Sequence, residues 1–184
     1  MKTKWGVLGS GGIARRRTIP EGILAAENAE LSIVFDADPA VNKAVAAEFG
    51  VKAAASEQEM LDSDCDVVYV ATPAHLHCAQ VLACAEAGKH VLCEKPLGMD
   101  VAEGERMASA CREKGVKLGV GLMMRFHAQH QAALQLLRDG KLGTPVLARA
   151  QLSCWYPKME GAWRQDPKQG GGGALIDMAT HLYD

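Results

Sequence analysis

Trp5-Gly6-Val7-Leu8-Gly9-Ser10-Gly11-Gly12-Ile13-Ala14 is the stretch on which the reading of this chain turns. The apolar run Trp5–Leu8 ends in Gly9-Ser10-Gly11-Gly12-Ile13-Ala14, a match to Gly-x-Gly-x-x-Ala. Each position has a mechanical reason. Gly9 permits a tight turn after a strand, Gly11 lets backbone N–H groups approach a pyrophosphate, and the small Ala14 lets the next helix pack close to the strand. The N-terminus of that helix offers its dipole to phosphate. A glycine pattern alone is a weak signal; a strand before it, a helix after it and an acid ending the next strand give it context. The acid is Asp36, 22 residues beyond Ala14, after the apolar run Glu30–Phe35. A carboxylate there accepts hydrogen bonds from ribose hydroxyls and repels a 2′-phosphate, and Ala37-Asp38-Pro39 supply no arginine to receive one. The pattern predicts a dinucleotide site of Gly9, Ser10, Gly11, Gly12, Ile13, Ala14 and Asp36, with NAD favoured over NADP. Arg15-Arg16-Arg17 is the counterweight, since it lies early in the first helix within reach of phosphates. A solvated helix face is the plainer reading for at least two of the three. Pro20 is expected to kink or restart that helix.

Working outward, the first two thirds of the chain alternate between short apolar runs and helical patterns. Strands are expected at Trp5–Leu8, Glu30–Phe35, Asp66–Ala71, His90–Cys93 and Lys117–Leu122. The Val67-Val68-Tyr69-Val70 run is apolar on both faces, as a covered parallel strand requires. Helices are expected at Pro39–Phe49, capped by Asp38 and stopped by Gly50, at Ala74–Ala87 before Gly88, and at Val101–Lys114 between Asp100 and Gly115. Ser56-Glu57-Gln58-Glu59 reads as a capping box opening a short helix. Strand, helix, strand at this spacing indicates βαβ units and a doubly wound parallel sheet in an α/β fold over residues 1–122. From residue 123 to 184 the pattern changes. A helix is expected at Phe126–Arg138, a strand at Pro145–Cys154, a polar and glycine-rich stretch at Trp155–Gly173, and a helical pattern at Ala174–Tyr183.

Composition narrows the classes. The 184 residues allow one domain or one and a half. With 48% apolar and 23% charged residues the chain has the make-up of a globular domain. A net charge of −2 lacks the basic excess of most nucleic-acid binders. No apolar run reaches the roughly 18 residues of a membrane span, and the start lacks the apolar stretch of a secretory signal. The six cysteines form no Cys-x-x-Cys pair and sit mostly in apolar segments. They read as reduced thiols packed as small hydrophobes, which suits the cytoplasm. His75-x-His77-Cys78 is not read as a metal site, because residues two apart do not share a helix face.

Two further segments carry a resemblance. One runs Ala71-Thr72-Pro73-Ala74-His75-Leu76-His77 and on through Ala87-Gly88-Lys89-His90-Val91-Leu92-Cys93-Glu94-Lys95-Pro96. The other is Gly171-Gly172-Gly173-Ala174-Leu175-Ile176-Asp177-Met178-Ala179-Thr180-His181. Together with the glycine loop, they resemble the glucose–fructose oxidoreductase/inositol dehydrogenase (Gfo/Idh/MocA) family over nearly the whole chain. The most specific motifs are Glu-Lys-Pro and Asp-x-x-x-His. The resemblance implies an N-terminal Rossmann domain, then the start of a C-terminal α/β domain with a mainly antiparallel sheet. It implies hydride transfer between a nicotinamide and a hydroxyl-bearing carbon of a sugar, cyclitol or related polyol. It also implies a homo-oligomer in the complete protein, with no nucleic-acid or membrane partner.

By the same resemblance His181 is the general acid/base, Lys95 hydrogen-bonds the reacting hydroxyl, Asp177 positions the substrate, and the Lys95–Pro96 bond is cis. Thr72, Pro73, His77, Glu94 and Lys95 are placed beside the cofactor, Glu94 mainly through its backbone; for His77 the active-site rim and a plain helix-face histidine stand as the alternatives. Arg125, Trp155, Tyr156, Trp163 and Arg164 are candidates for a polyol pocket, with packing or surface roles as the alternative. The chemistry agrees: alcohol oxidation needs a base with a near-neutral pKa, and a histidine supplies one. Asp177 and His181 are four apart and share a face if one helix carries both. A surface contact is the plain reading of such a pair; the glycines before it and Lys95 favour catalysis. The chain departs from the family in length, ending three residues after His181 in a domain that normally needs about 150–200 residues. A fragment of a larger enzyme, or a partner chain that supplies the rest, is therefore expected. The rivals are a reductase of another small carbonyl compound or dihydrodiol, a non-catalytic nicotinamide-binding sensor, and an inactive fragment.

Overall fold

A parallel ladder requires a crossover between each pair of strands, and the first 120 residues are organised by that requirement. The structure, a computed structural model, describes residues 1–184. It divides into two compact units, Met1–Val120 and Gly121–Asp184.

In the first unit six strands form one sheet: β1 (Thr3–Leu8), β2 (Ala29–Phe35), β3 (Lys52–Ala53), β4 (Val67–Val70), β5 (His90–Cys93) and β6 (Leu118–Val120). Their order is β3-β2-β1-β4-β5-β6, with every neighbouring pair parallel. This is the doubly wound Rossmann arrangement that the alternation implied. The strands alternate their side chains between two apolar layers. Leu8, Ile33, Val68 and Val70 join Met60 and Met107 in one layer, while Val7, Val34 and Tyr69 join Ile19 and Val45 in the other. Burial on both faces explains the unbroken apolar run of β4.

The connecting helices are α1 (Pro39–Phe49), α2 (Glu57–Leu61), α3 (Ala74–Glu86) and α4 (Val101–Glu113). Their ends are set by local chemistry. The Asp38 carboxylate accepts from the Ala40 N–H at 2.8 Å, and Gly50 closes α1 at φ 66°. Asp100 accepts from the Glu103 N–H at 2.8 Å. Ser56 accepts from the Glu59 N–H at 3.1 Å, but the Glu59 carboxylate returns to the Ala55 N–H at 2.6 Å, one residue before the partner of a capping box.

Two elements differ from expectation. The helix after the glycine loop, Ala14–Ile23, is wound as a π-helix and runs through Pro20 without a break. Its wider hydrogen bonding is seen where the Leu24 N–H reaches the Ile19 carbonyl at 2.9 Å. Strand β3 was not expected, because two residues are too few to show alternation.

The second unit holds a 3-10 turn (Met123–Phe126), α5 (Ala128–Arg138), a second 3-10 turn (Trp163–Gln165), α6 (Pro167–Gly170), α7 (Gly173–Asp177) and α8 (Thr180–Tyr183). The strand expected at Pro145–Cys154 does not form. The unit provides no second strand to pair with it, and a strand alone has no ladder. Val146 and Leu147 accordingly stay 93% and 86% exposed. The helix expected over Ala174–Tyr183 is interrupted. Both the Met178 and Ala179 N–H groups go to the Ala174 carbonyl, at 3.0 and 3.1 Å, so the ladder slips before α8 begins. No helix is long and apolar enough to cross a membrane.

Burial also sets the chemistry of the thiols and of one phenol. Cys65, Cys78, Cys84, Cys93 and Cys111 are buried and Cys154 is exposed. Burial pushes the Cys84 thiol up to about 12. Burial, and then the charge of Glu94, holds the Tyr69 hydroxyl above the usual phenol range. A thiol reagent applied to the native protein should therefore react quickly at Cys154 and elsewhere only on unfolding; a second fast thiol contradicts this packing. In the unfolded chain Cys84 ionises from about pH 8.5 and Tyr69 from about pH 10. Their raised folded values mean that stability is intact below that window and lost as the pH climbs through it. Denaturant midpoints at pH 7 and 10.5 check the sign, and Tyr69→Phe should flatten the fall; a midpoint that rises contradicts it.

Candidate active site

The strand order reverses between β1 and β4, and doubly wound sheets bind ligands at the carboxyl edge of that reversal. Gly9 ends β1 there with φ 77°. A Cβ at Gly9 would lie 2.8 Å from the Ala71 carbonyl carbon and 2.8 Å from the Thr72 nitrogen, so the turn passes the end of β4 only because the side chain is absent. The N–H groups of Gly9 and Ser10 both donate to the Phe35 carbonyl, at 2.9 and 3.1 Å. Gly12 has φ 51° and nothing within 4 Å of its missing Cβ, so the loop is open where a ligand would approach. Ile13 is half-buried and Ala14 fully buried beneath the loop.

Asp36 closes this edge. One carboxylate oxygen accepts from the Gly11 N–H at 2.9 Å and the other from the Asp38 N–H at 3.0 Å. Each oxygen keeps acceptor capacity for a ribose hydroxyl. The Ser10 hydroxyl oxygen is buried and has no partner. A buried polar atom left unsatisfied beside a glycine loop fits a site built for a polar ligand. The arginine run behaves as a surface. Arg15 pairs with Glu48 at 2.6 Å, Arg17 with Glu21 at 3.0 Å, and the Arg16 guanidinium donates to the Gly12 carbonyl at 3.1 Å.

Glu94-Lys95-Pro96 follows β5 on the same edge, with Lys95 half-buried and the Lys95–Pro96 bond cis. Glu94 bonds through its side chain as well as its backbone. Its N–H donates to the Val70 carbonyl at 2.8 Å. Its carboxylate accepts from the Tyr69 hydroxyl at 2.7 Å and from the Lys95 N–H at 3.1 Å. The Thr18 hydroxyl donates to Tyr69 at 3.0 Å, so a chain of hydrogen bonds runs from the first helix to this turn. Sequence reasoning treated Tyr69 as core alone. The available signal was a phenol in a buried run, whose hydroxyl must find a partner.

Thr72 and Pro73 lie between β4 and α3, both half-buried. The Thr72 hydroxyl donates to Gln80, and Gln80 donates to Glu57 at 2.6 Å. His77, expected beside the cofactor, has no exposed surface. Its ring lies instead between the Pro96 carbonyl, 2.8 Å from Nδ1, and the Thr72 carbonyl, 2.9 Å from Nε2. Both ring nitrogens thus face backbone carbonyls.

In the second unit Tyr156, Arg164 and Asp177 line a cavity of about 640 Å³ together with Lys158 and the Gly172-Gly173 backbone. Arg164 lies 3.5 Å from the Asp177 carboxylate, and its guanidinium stacks 4.3 Å above the Trp163 ring. Trp163 thus supports Arg164. Arg125 lies outside this lining, bound to the Asp184 carboxylate through Nε at 3.0 and 3.1 Å. Trp155 is 89% exposed and also outside it. Asp177 ends α7 and His181 lies in α8, so the single helix face expected for the pair does not exist. No three His, Cys, Asp or Glu side chains converge as a metal site.

These features agree with comparisons to known proteins. Residues 3–122 match the oxidoreductase family with an NAD-binding Rossmann fold, and residues 130–184 match a Gfo/Idh/MocA C-terminal domain. A 1,5-anhydro-D-fructose reductase from Ensifer adhaerens is 37% identical over 183 residues, covering 98% of this chain and 54% of the relative. A 3-ketoreductase from Actinomadura kijaniata, solved with NADP and TDP-benzene, superposes with a TM-score of 0.83 at 30% identity, over 98% of this chain and 55% of that one. A dehydrogenase from Bordetella pertussis, solved with NADH and UDP-GlcNAcA, gives 0.72 at 32% identity, over 78% and 44%. The chain spans about half the length of the relatives it matches. With both its units matched to the same family, the chain belongs to the Gfo/Idh/MocA oxidoreductases.

Proposed function

We propose that this chain is the cofactor-binding part of an NAD-dependent oxidoreductase acting on the hydroxyl-bearing carbon of a sugar, cyclitol or related polyol, or on the matching carbonyl. The observation that carries the reading is Lys95, held half-buried on the same sheet edge as the Gly9–Ala14 loop and Asp36. The relatives' names add sugar and nucleotide-sugar substrates to the expectation. A nicotinamide dinucleotide held by the Gly9–Ala14 loop and Asp36 would supply the hydride chemistry when bound. Lys95 donates a hydrogen bond to the reacting oxygen and steadies the charge that develops on it. By the family resemblance, His181 is assigned the hydroxyl proton and Asp177 the orientation of the sugar. Asp36 and the ion-paired Arg15 and Arg17 favour NAD over NADP, since a 2′-phosphate would meet a carboxylate where it needs a cation. The exposed Val146, Leu147 and Trp155 support further protein, as later sequence or as a second subunit, packing on this half.

The direct test is hydride transfer by the protein that carries this chain, followed as NADH loss with 1,5-anhydro-D-fructose and a panel of aldoses, keto-sugars and cyclitols. Turnover excludes the sensor reading; saturable NADH binding with no turnover on any of them favours it. Lys95→Ala should lower kcat by about 10²–10⁴-fold and leave NADH affinity within a few-fold. Near-normal turnover contradicts the role given to Lys95. Asp36→Ala should weaken NADH binding by about 10-fold or more, the scale of charged hydrogen bonds, while NADPH binding holds or improves. Equal weakening of both nucleotides contradicts the NAD assignment.

A further inference from the structure

His77 lies in the first turns of α3 with no exposed surface. Its ring spans two neighbouring loops of the carboxyl edge: Nδ1 faces the Pro96 carbonyl at 2.8 Å and Nε2 the Thr72 carbonyl at 2.9 Å. A carbonyl only accepts, and a neutral ring carries one N–H, so the ring serves Pro96 when its proton is on Nδ1 and Thr72 when it is on Nε2; only the imidazolium serves both. The two ends of this bridge are not equally supported. The Thr72 side chain is also tied to α3 through Gln80, which is itself held by Glu57. Pro96 is joined to α3 by the His77 ring, and it is the residue that follows Lys95. On the other side of Lys95, Glu94 is fixed by Tyr69. The turn that carries Lys95 is therefore held at both of its neighbours, by a phenol on β4 and by an imidazole on α3.

We propose that His77 is a positioning residue, a buried clasp whose link to the Pro96 carbonyl sets Lys95 at a fixed place relative to Thr72 and the cofactor edge. The inference rests on the proposed assignment of Lys95 to the reacting centre. Misplacement by about 1 Å costs on the order of 100-fold in a reaction that depends on orientation, so such a clasp bears on rate more than on cofactor affinity.

Two substitutions separate the links. In His77→Gln the amide nitrogen stands near the position of Nε2 and serves Thr72, leaving Pro96 without a donor. In His77→Asn it stands near Nδ1 and serves Pro96. The readout needs no turnover: reductive methylation of Lys95 with formaldehyde and a borane, measured by mass spectrometry with and without saturating NADH, alongside NADH affinity by fluorescence. NADH should protect Lys95 in the wild-type protein. His77→Gln should lose that protection by at least about 5-fold at unchanged NADH affinity, and His77→Asn should lose distinctly less. Equal protection in His77→Gln and the wild type overturns the clasp, and so does an equal loss in both variants, which marks general damage. If NADH binds but leaves wild-type Lys95 unprotected, the Lys95 assignment fails, and the clasp fails with it. Should a variant not fold, the wild-type imidazole spectrum decides: a proton on Nδ1 hydrogen-bonded to a carbonyl is expected, and a bare Nδ1 overturns the proposal.

Discussion

The close passage of the turn after β1 across the end of β4 is the constraint on which the rest of the carboxyl edge depends. At Gly9 the space for a side chain is already taken by the Ala71–Thr72 backbone, 2.8 Å from where a Cβ would stand. The approach lets Gly9 and Ser10 share the Phe35 carbonyl, which keeps β2 and Asp36 against the loop. It also lets Ala71 continue the ladder with Leu8, its N–H on the Leu8 carbonyl at 2.8 Å, and so places Thr72. A side chain at position 9 would separate β1 from β4 at the point where the sheet changes winding direction. The loop, the acid and the β4 end would then lose their common reference.

The polar groups around this edge are few and mostly half-buried, and they are linked in chains. Thr18, Tyr69 and Glu94 form one chain, and Thr72, Gln80 and Glu57 another. In a low-dielectric setting such chains strengthen each bond and penalise any missing member. Rigid support of this kind is what a reacting centre needs if its groups are to be in place before the substrate arrives. Ser10 stands apart as a buried hydroxyl without a partner, on the loop where a pyrophosphate would lie. The structure thus combines well-satisfied support with one unsatisfied group at the ligand surface.

Much of the first unit was legible because its signals are local. Asp38, Pro39 and Gly50 fixed α1 to the residue, since capping and a left-handed stop depend only on neighbours. The doubly wound parallel sheet followed from the crossover rule and the run of apolar strands. What was not legible depended on partners far along the chain. The π winding through Pro20 depends on how Ala14, Ile19 and Ile23 pack, not on the propensity of the segment. For His77 the sequence left cofactor contact, the active-site rim and a plain helix face open, because nothing local shows that Pro96, 19 residues on, brings its carbonyl to the ring. Pro145–Cys154 has the alternation of a strand, but alternation cannot supply a pairing partner, and the second unit has none. Asp177 and His181 have helical spacing, yet the shared Ala174 carbonyl breaks the helix between them. For Tyr156 and Arg164 the sequence offered residue type alone; their meeting with Asp177 in one cavity is tertiary.

The central claim is that the Gly9–Ala14 loop, set against β4 and closed by Asp36, forms a nicotinamide dinucleotide site. The most direct measurement is calorimetric titration of this chain and of its Gly9→Val variant with NADH. The account predicts saturable one-to-one binding to the parent chain and none to the variant, with the parent also gaining thermal stability as NADH is added. No binding to the parent, or equal binding to both, would contradict it.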